Sequence, residues 1–167
     1  RGLARACAQL KCDCVVGMGG GKMLDIAKAV AHYAGLSLCV APTVASSDAP
    51  CSALSVLYDD GGSFDKYLHL DRAPDLVVVD SAVIAHAPVH LLVAGMGDAL
   101  ATYFEARACR ESGGENELAG ASGVAATALA RSCFEVLIAD GLQAKADVEA
   151  GELTSAVERV IECNIIC

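Results

Sequence analysis

Hydrophobic and polar positions follow two different periods along the chain, and the change falls near residue 81. Before that point, short apolar runs of strand length stand at 12–17, 36–41, 52–58, 64–70 and 76–79. Beyond Pro88 the apolar positions recur at helical spacing, and we expect helices at 88–109, 117–138, 141–150 and 153–167. Gly95 and Gly97 should interrupt the first of these helices. The pattern predicts an α/β domain at 1–87, followed by an all-helical domain at 88–167.

The order of elements in the first domain predicts a parallel sheet of Rossmann-like type. A helix at 22–34, which ends at Gly35, lies between the apolar runs at 12–17 and 36–41. This strand–helix–strand order is a βαβ unit, whose two strands pair in parallel. The turn residues at 59–63, between the next two runs, predict a β-hairpin.

The composition excludes several classes of function. The formal net charge is -9 and the chain has no tryptophan, which argues against a nucleic-acid partner. No apolar run approaches the roughly 18 residues that a membrane span needs, so we expect no membrane partner. The nine cysteines lack the spacing of redox or zinc pairs, and we expect no signal peptide. We therefore expect a reducing, cytoplasmic location.

The segment 15–25 carries the clearest chemical signal. A strand run leads into three consecutive glycines, Gly19, Gly20 and Gly21, and a helix opens directly afterwards. Glycines let a backbone approach a ligand closely, and free N–H groups at a helix start favour a phosphate. A tight strand-to-helix turn is the alternative interpretation, but one glycine would suffice for such a turn.

Two common phosphate-binding motifs do not fit this segment. The dinucleotide fingerprint G-x-G-x-x-G requires a glycine where the chain has Lys22. The P-loop requires a glycine in place of Val16 and a serine or threonine in place of Met23. We therefore predict a phosphate loop of a third kind.

The residues Gly-Gly-Gly-Lys-x-x-Asp-x-Ala-Lys at 19–28 are similar to the signature of the iron-containing alcohol dehydrogenase superfamily. The block at 42–58 resembles its glycerol dehydrogenase branch, and the segments 76–80 and 95–102 continue the resemblance in order. The resemblance implies a dehydroquinate synthase-like fold. Superfamily members are longer, so it also implies a chain truncated at both ends. A start without Met and an end in mid-pattern indicate the same.

The resemblance implies that NAD is the cofactor and that a defined set of residues contacts it. That set is Gly20, Gly21, Lys22, Met23 through its backbone, Asp25, Thr43, Ser46, Ser52, Leu54 and Tyr58. The sequence departs from the family pattern at Met23 and Cys51, where threonine is expected. Neither departure removes a catalytic group.

The resemblance also implies a metal site that includes Asp98. Iron-type members carry a histidine ligand four residues after this aspartate, but this chain has Thr102 there. A site of one aspartate and two histidines from beyond Cys167 suits Zn2+ with an open position for substrate. A helix cap after Gly97 is the alternative interpretation of Asp98. Asp48 would hold the substrate hydroxyls, since a carboxylate accepts two such hydrogen bonds.

The implied activity is the NAD-dependent, zinc-assisted oxidation of glycerol, or of a similar small diol, to dihydroxyacetone. Asp98 and Asp48 are the candidate catalytic and substrate-binding residues, and the full-length protein is expected to be a homo-oligomer. A lyase-type relative on the same fold, such as a dehydroquinate synthase, is one alternative. It is disfavoured because residues 42–58 contain no basic side chain. An inactive nucleotide-binding remnant is the other alternative. It stays open because this chain lacks the two histidine ligands that the metal site needs.

His86 and His90 have the spacing of a metal-binding pair on a helix. Pro88 lies between them, so we do not expect one continuous helix to carry both. The first histidine also lacks the adjacent glutamate of an HExxH site. We therefore do not assign them to the metal.

Overall fold

The computed structural model describes residues 2–59, 61–116 and 119–167, and the chain divides into two units. The first unit comprises the chain up to Val44 together with Ala49–Asp80. The second unit comprises Ala45–Asp48 together with Ser81–Cys167. The functional division into 1–87 and 88–167 stays a prediction.

The first unit contains two helices and five strands in its described residues. They are α1 (Gly2–Leu10), β1 (Cys14–Gly19), α2 (Gly21–Ala34), β2 (Ser37–Pro42), β3 (Leu54–Tyr58), β4 (Phe64–His69) and β5 (Leu76–Val77). Strands β1, β2 and β5 form a parallel sheet in the order β1-β2-β5. The predicted parallel βαβ unit is confirmed.

The predicted hairpin is also confirmed. Strands β3 and β4 pair in antiparallel fashion, with an irregularity between Leu57 and Tyr58. Asp59 closes the turn, because its carboxylate accepts the N–H of Ser63 at 2.8 Å. The other predicted turn former, Asp60, lies outside the described residues.

Helix α2 covers one face of the parallel sheet. Its apolar residues Leu24, Ala27 and Ala31 pack with Leu38 and Val40 of β2. The approach of α2 to β1 is close at Gly17, where a Cβ would lie 2.5 Å from the Cβ of Ala27. A residue larger than glycine would therefore push the helix off the strand.

Strand β1 is not buried along its whole length. Val16 is 61% exposed and Met18 is 67% exposed, whereas Gly17 between them is buried. The cause is the alternation of a strand, which directs Val16 and Met18 to the face opposite α2. The apolar run at 12–17 therefore predicts the strand, but it does not predict which of its side chains are buried.

The second unit contains helices in most of its described residues. They are α3 (Ser81–Ala85), α4 (Val89–Ser112), α5 (Val124–Ala150) and α6 (Ser155–Ile166). Helix α4 packs against α5 and α6, and α5 packs against α6. No helix in the described ranges is long and apolar enough to cross a bilayer.

Two predictions about these helices are wrong. Helix α4 continues through Gly95 and Gly97, and α5 continues through Gly141, where a break between two helices was expected. A single glycine weakens a helix by only about 1 kcal/mol, which packing overrides. The predicted start at 117–118 lies outside the described residues, and α5 begins at Val124.

Candidate functional site

The glycine segment forms the junction between β1 and α2. Gly19 has φ 146°, in the region that favours glycine, and Gly20 is the N-cap of α2 with no side-chain cap. The first N–H groups of a helix have no partner within it, and the helix dipole adds partial positive charge there. The Met23 N–H is the exception, since it donates to the Gly20 carbonyl oxygen at 2.9 Å. This junction has the geometry of an anion-binding backbone.

Two further predicted contact residues lie beside this junction. The Thr43 N–H donates to the Gly19 carbonyl oxygen at 3.0 Å, which fixes the end of β2 against the glycines. Lys22 is exposed at the start of α2, and its Nζ lies 5.5 Å from the ring centroid of Tyr58 at the end of β3. The structure therefore brings both Thr43 and Tyr58 to the helix start.

The predicted contacts Asp25, Ser52 and Leu54 converge on a residue that the sequence did not single out. The Lys28 Nζ donates to the Leu54 carbonyl oxygen at 2.7 Å, to Ser52 Oγ at 3.0 Å and to Asp25 Oδ1 at 3.4 Å. The Lys28 side chain is fully buried. A buried ammonium requires such acceptors, because an unpaired charge in the interior is costly. Lys28 thus ties α2 to the start of the hairpin.

The environment of Asp25 raises the pKa of its carboxyl above the ordinary value of 3.8. Burial is the main cause, and the Lys28 ammonium and the Val56 N–H act in the opposite direction. Only the i,i+3 spacing of Asp25 and Lys28 could have indicated this pair from the sequence. Such spacing is more typical of an exposed helix pair.

The remaining predicted site residues lie in the second unit. Ser46 and Asp48 belong to Ala45–Asp48, the short segment that separates from its sequence neighbours and joins the helices. The Ala45 carbonyl oxygen accepts a hydrogen bond from Asn164 Nδ2 of α6 at 3.0 Å. Asp98 is exposed on α4.

Thr102, one turn after Asp98, uses its hydroxyl within the protein. Its Oγ1 donates to the Cys167 carbonyl oxygen at 2.7 Å and lies 3.1 Å from the Asp98 carbonyl oxygen. No group of three or more His, Cys, Asp or Glu side chains that could hold a metal exists within the described ranges.

The histidines at 86 and 90 do not share a helix. Helix α3 ends at Ala85 and α4 begins at Val89, so the expected break at Pro88 is confirmed. His86 Nδ1 lies 2.7 Å from the Ala82 carbonyl oxygen. This contact gives His86 a local backbone partner.

Comparisons with known proteins agree with this architecture. The sequence model of the family described as iron-containing alcohol dehydrogenase matches residues 1–81. A glycerol dehydrogenase of Citrobacter freundii is 53% identical over 92% of this chain and 42% of its own length. A glycolaldehyde reductase of Halobacterium salinarum is 46% identical, over 92% of this chain and 42% of its own.

A solved structure is similar over nearly the whole chain. A probable glycerol dehydrogenase from Sinorhizobium meliloti superposes with a TM-score of 0.93 at 49% identity. The match covers 97% of this chain and 46% of that one. This chain therefore spans less than half the length of the relatives that it matches.

Proposed function

The chain belongs to the iron-containing alcohol dehydrogenase family, and on that premise we propose that its full-length protein oxidises glycerol with NAD. The reaction converts glycerol to dihydroxyacetone while NAD is reduced to NADH. The β1–α2 junction is the observation that carries this proposal. Its uncapped helix start, at Gly20 and Gly21, suits the pyrophosphate of a dinucleotide.

The neighbouring residues suit the rest of the cofactor. Lys22 is exposed at the same helix start and supplies a mobile positive charge for a phosphate. Tyr58 lies beside Lys22 at the end of β3. Leu54 begins the same strand and Ser52 precedes it by two residues, and we assign these residues to the nicotinamide ribose. Asp25 acts indirectly in this proposal, because its carboxylate lies against Lys28.

Asp48 and Asp98 are the proposed substrate-side residues. Asp98 would be one ligand of a zinc ion, with two histidines from outside this chain, and Asp48 would accept hydrogen bonds from substrate hydroxyls. Zinc, when bound, supplies Lewis-acid polarisation that lowers the pKa of a substrate hydroxyl. The residue type at position 102 supports zinc over iron, since Thr102 offers no imidazole where iron-type members carry a histidine ligand. A cytoplasmic homo-oligomer is part of the same proposal.

Lys22→Ala in the full-length protein tests the cofactor site. We expect the dissociation constant for NAD to rise by about tenfold or more, because a charge-assisted phosphate contact is worth about 1.5–3 kcal/mol. Fluorescence quenching on NAD titration measures this constant. Lys66→Ala is the matched control, since that side chain is 61% exposed on β4. Equal affinities in both variants would contradict the assignment of Lys22.

Asp98→Asn tests the metal site. We expect the bound zinc, measured by elemental analysis, to fall well below one ion per chain, because a neutral amide is a weaker ligand than a carboxylate. NADH formation from glycerol should fall with it. Full zinc content in the variant would show that Asp98 is not a ligand. No turnover in the unmodified full-length protein would favour the inactive remnant.

The likeness to a glycolaldehyde reductase makes glycolaldehyde the second candidate substrate. Both candidates place hydroxyl groups on adjacent carbons, or a hydroxyl beside a carbonyl, which is the pattern that Asp48 would recognise. Comparing kcat/KM for glycerol oxidation with kcat/KM for glycolaldehyde reduction distinguishes them. Turnover without net formation of NADH would instead favour a lyase-type activity.

A further inference from the structure

Asn164 joins two separate backbone segments of the second unit. It lies on α6, is fully buried, and its Nδ2 donates to the Ala45 carbonyl oxygen at 3.0 Å and to the Leu92 carbonyl oxygen at 2.9 Å. Ala45 begins the segment that carries Asp48, and Leu92 lies on α4, which carries Asp98. One amide group therefore links the segment that carries Asp48 to the helix that carries Asp98.

The close approach of these segments depends on Gly95 of α4. A Cβ at this position would overlap the Ala45 carbonyl oxygen and lie 2.6 Å from Asn164 Nδ2. Gly95 is buried, and it follows Leu92 by three residues on the same face of α4. The missing side chain leaves the space in which Ala45 and Asn164 meet the helix.

The side-chain amide of Asn164 also has an oxygen atom that can accept hydrogen bonds. Its Oδ1 is buried without a hydrogen bond among the residues that the structure describes. A buried polar atom without a partner costs about 1–3 kcal/mol, which an apolar residue would avoid. A residue that breaks a packing rule in this way is expected where position matters more than stability.

We propose that Asn164 is a positioning residue, which holds the Asp48 segment in a fixed place relative to the helix of Asp98. Asn164 does not touch substrate in this role, but acts through the Ala45 and Leu92 carbonyl groups. The proposal rests on the proposed function, because that function gives Asp48 and Asp98 their substrate.

Asn164→Ala in the full-length protein is the first test. We expect kcat/KM for glycerol to fall by about tenfold or more, since small misplacements of reacting groups can reduce rates by up to about 100-fold. The dissociation constant for NAD should stay unchanged. Ile161→Val is the matched control, because Ile161 is equally buried on α6 and takes no part in the link. Equal kinetic losses in the two variants would overturn the proposal.

A double variant separates positioning from general destabilisation. In an Asp48→Asn background, Asn164→Ala should reduce kcat/KM by less than about twofold, because the group that it positions is already altered. Fully additive losses would overturn the proposal. If Asn164→Ala does not fold, Asn164→Ser keeps one hydrogen-bond donor and should give an intermediate loss.

Hydrogen exchange gives a readout that does not depend on activity. In this chain, Asn164→Ala should speed amide exchange in residues 45–48 by about tenfold or more relative to Ile161→Val, since the segment loses its link to α6 and α4. Unchanged exchange would overturn the positioning role even in an active enzyme. If the unmodified full-length protein does not oxidise glycerol, the proposed function fails, and exchange alone decides the role of Asn164.

Discussion

At the scale of single residues, the buried charge pair of Asp25 and Lys28 is the main feature of the first unit. The Lys28 ammonium is surrounded by three oxygen acceptors, two of which belong to residues at the start of the hairpin. Ser55 Oγ adds a third link between α2 and the start of the hairpin, since it donates to the Asp25 carbonyl oxygen at 2.9 Å. Lys28 therefore contributes to stability chiefly by supplying hydrogen-bond donors and a positive charge to these buried oxygen atoms.

Replacing Lys28 by methionine should destabilise the chain strongly. Methionine fills a similar volume, but it leaves the Asp25 carboxylate buried without its cation, which costs about 3–5 kcal/mol at neutral pH. Urea unfolding followed by circular dichroism measures the change. Lys66→Met is the control, because this side chain is 61% exposed and its ion pair with Asp65, at 3.9 Å, is exposed as well. It should change the free energy of unfolding by less than about 0.5 kcal/mol.

The loss in Lys28→Met should shrink as the pH falls. The folded protein already raises the pKa of Asp25, chiefly by burial, and the variant loses the ammonium that opposes this rise. A raised folded pKa gives stability that is present below the unfolded value of 3.8 and is lost as pH rises through the folded value. The two proteins should therefore differ most at neutral pH. A difference that is independent of pH would show that Asp25 is not involved.

At the scale of elements, two glycines of α4 lie in opposite surroundings, one tightly packed and one open. Gly95 is buried against Ala45 and Asn164, whereas a Cβ at Gly97 would meet nothing within 4 Å. Both residues carry the same weak helix propensity. Their different surroundings decide what each contributes to the second unit.

Gly95→Ala should destabilise the protein, and Gly97→Ala should stabilise it. The added methyl group at position 95 forces apart Ala45 and Asn164, an overpacking that costs about 1–3 kcal/mol. At position 97 alanine gains about 0.5–1 kcal/mol of helix propensity. Thermal unfolding of the two variants measures both effects. If Gly95→Ala raises the unfolding temperature as Gly97→Ala does, the close packing of Gly95 against Ala45 and Asn164 is wrong.

At the scale of the whole molecule, the two units differ in how they bury cysteine. The three buried cysteines, Cys133, Cys163 and Cys167, all lie in the second unit, whereas Cys12 and Cys14 in the first are exposed. Cys133 and Cys167 are in direct contact, with their sulfur atoms 2.8 Å apart. Burial raises the pKa of the Cys163 thiol to about 12 and raises that of Cys167 as well.

Alkylation of cysteines should therefore report on unfolding of the second unit. In the native chain at neutral pH, with reductant present, iodoacetamide should modify the exposed Cys12 and Cys14 but not the three buried thiols, because the reagent cannot reach a buried sulfur atom. Peptide mass spectrometry after alkylation at increasing urea concentrations measures the protection. Protection should disappear together with the helical circular dichroism signal. Rapid native labelling of Cys163 would contradict the burial described.

The sequence by itself determined the features that depend on neighbouring residues. The βαβ unit, the hairpin and the glycine junction at Gly19–Gly21 follow from apolar periodicity and turn chemistry over short stretches. The family resemblance, carried by the same short motifs, gave the candidate contacts of the first unit, most of which cluster around α2. Local rules succeed here because a turn or a strand is chosen largely by its own residues.

The tertiary structure decided the features that depend on partners distant in sequence. Lys28 finds acceptors 24 and 26 residues away, and Asn164 meets Ala45 across 119 residues. The continuity of α4 through Gly95 and the exposure of Val16 were likewise not readable from their own segments. Burial and hydrogen-bond pairing are properties of the space around a residue, and packing free energies exceed the small local propensities that the sequence displays.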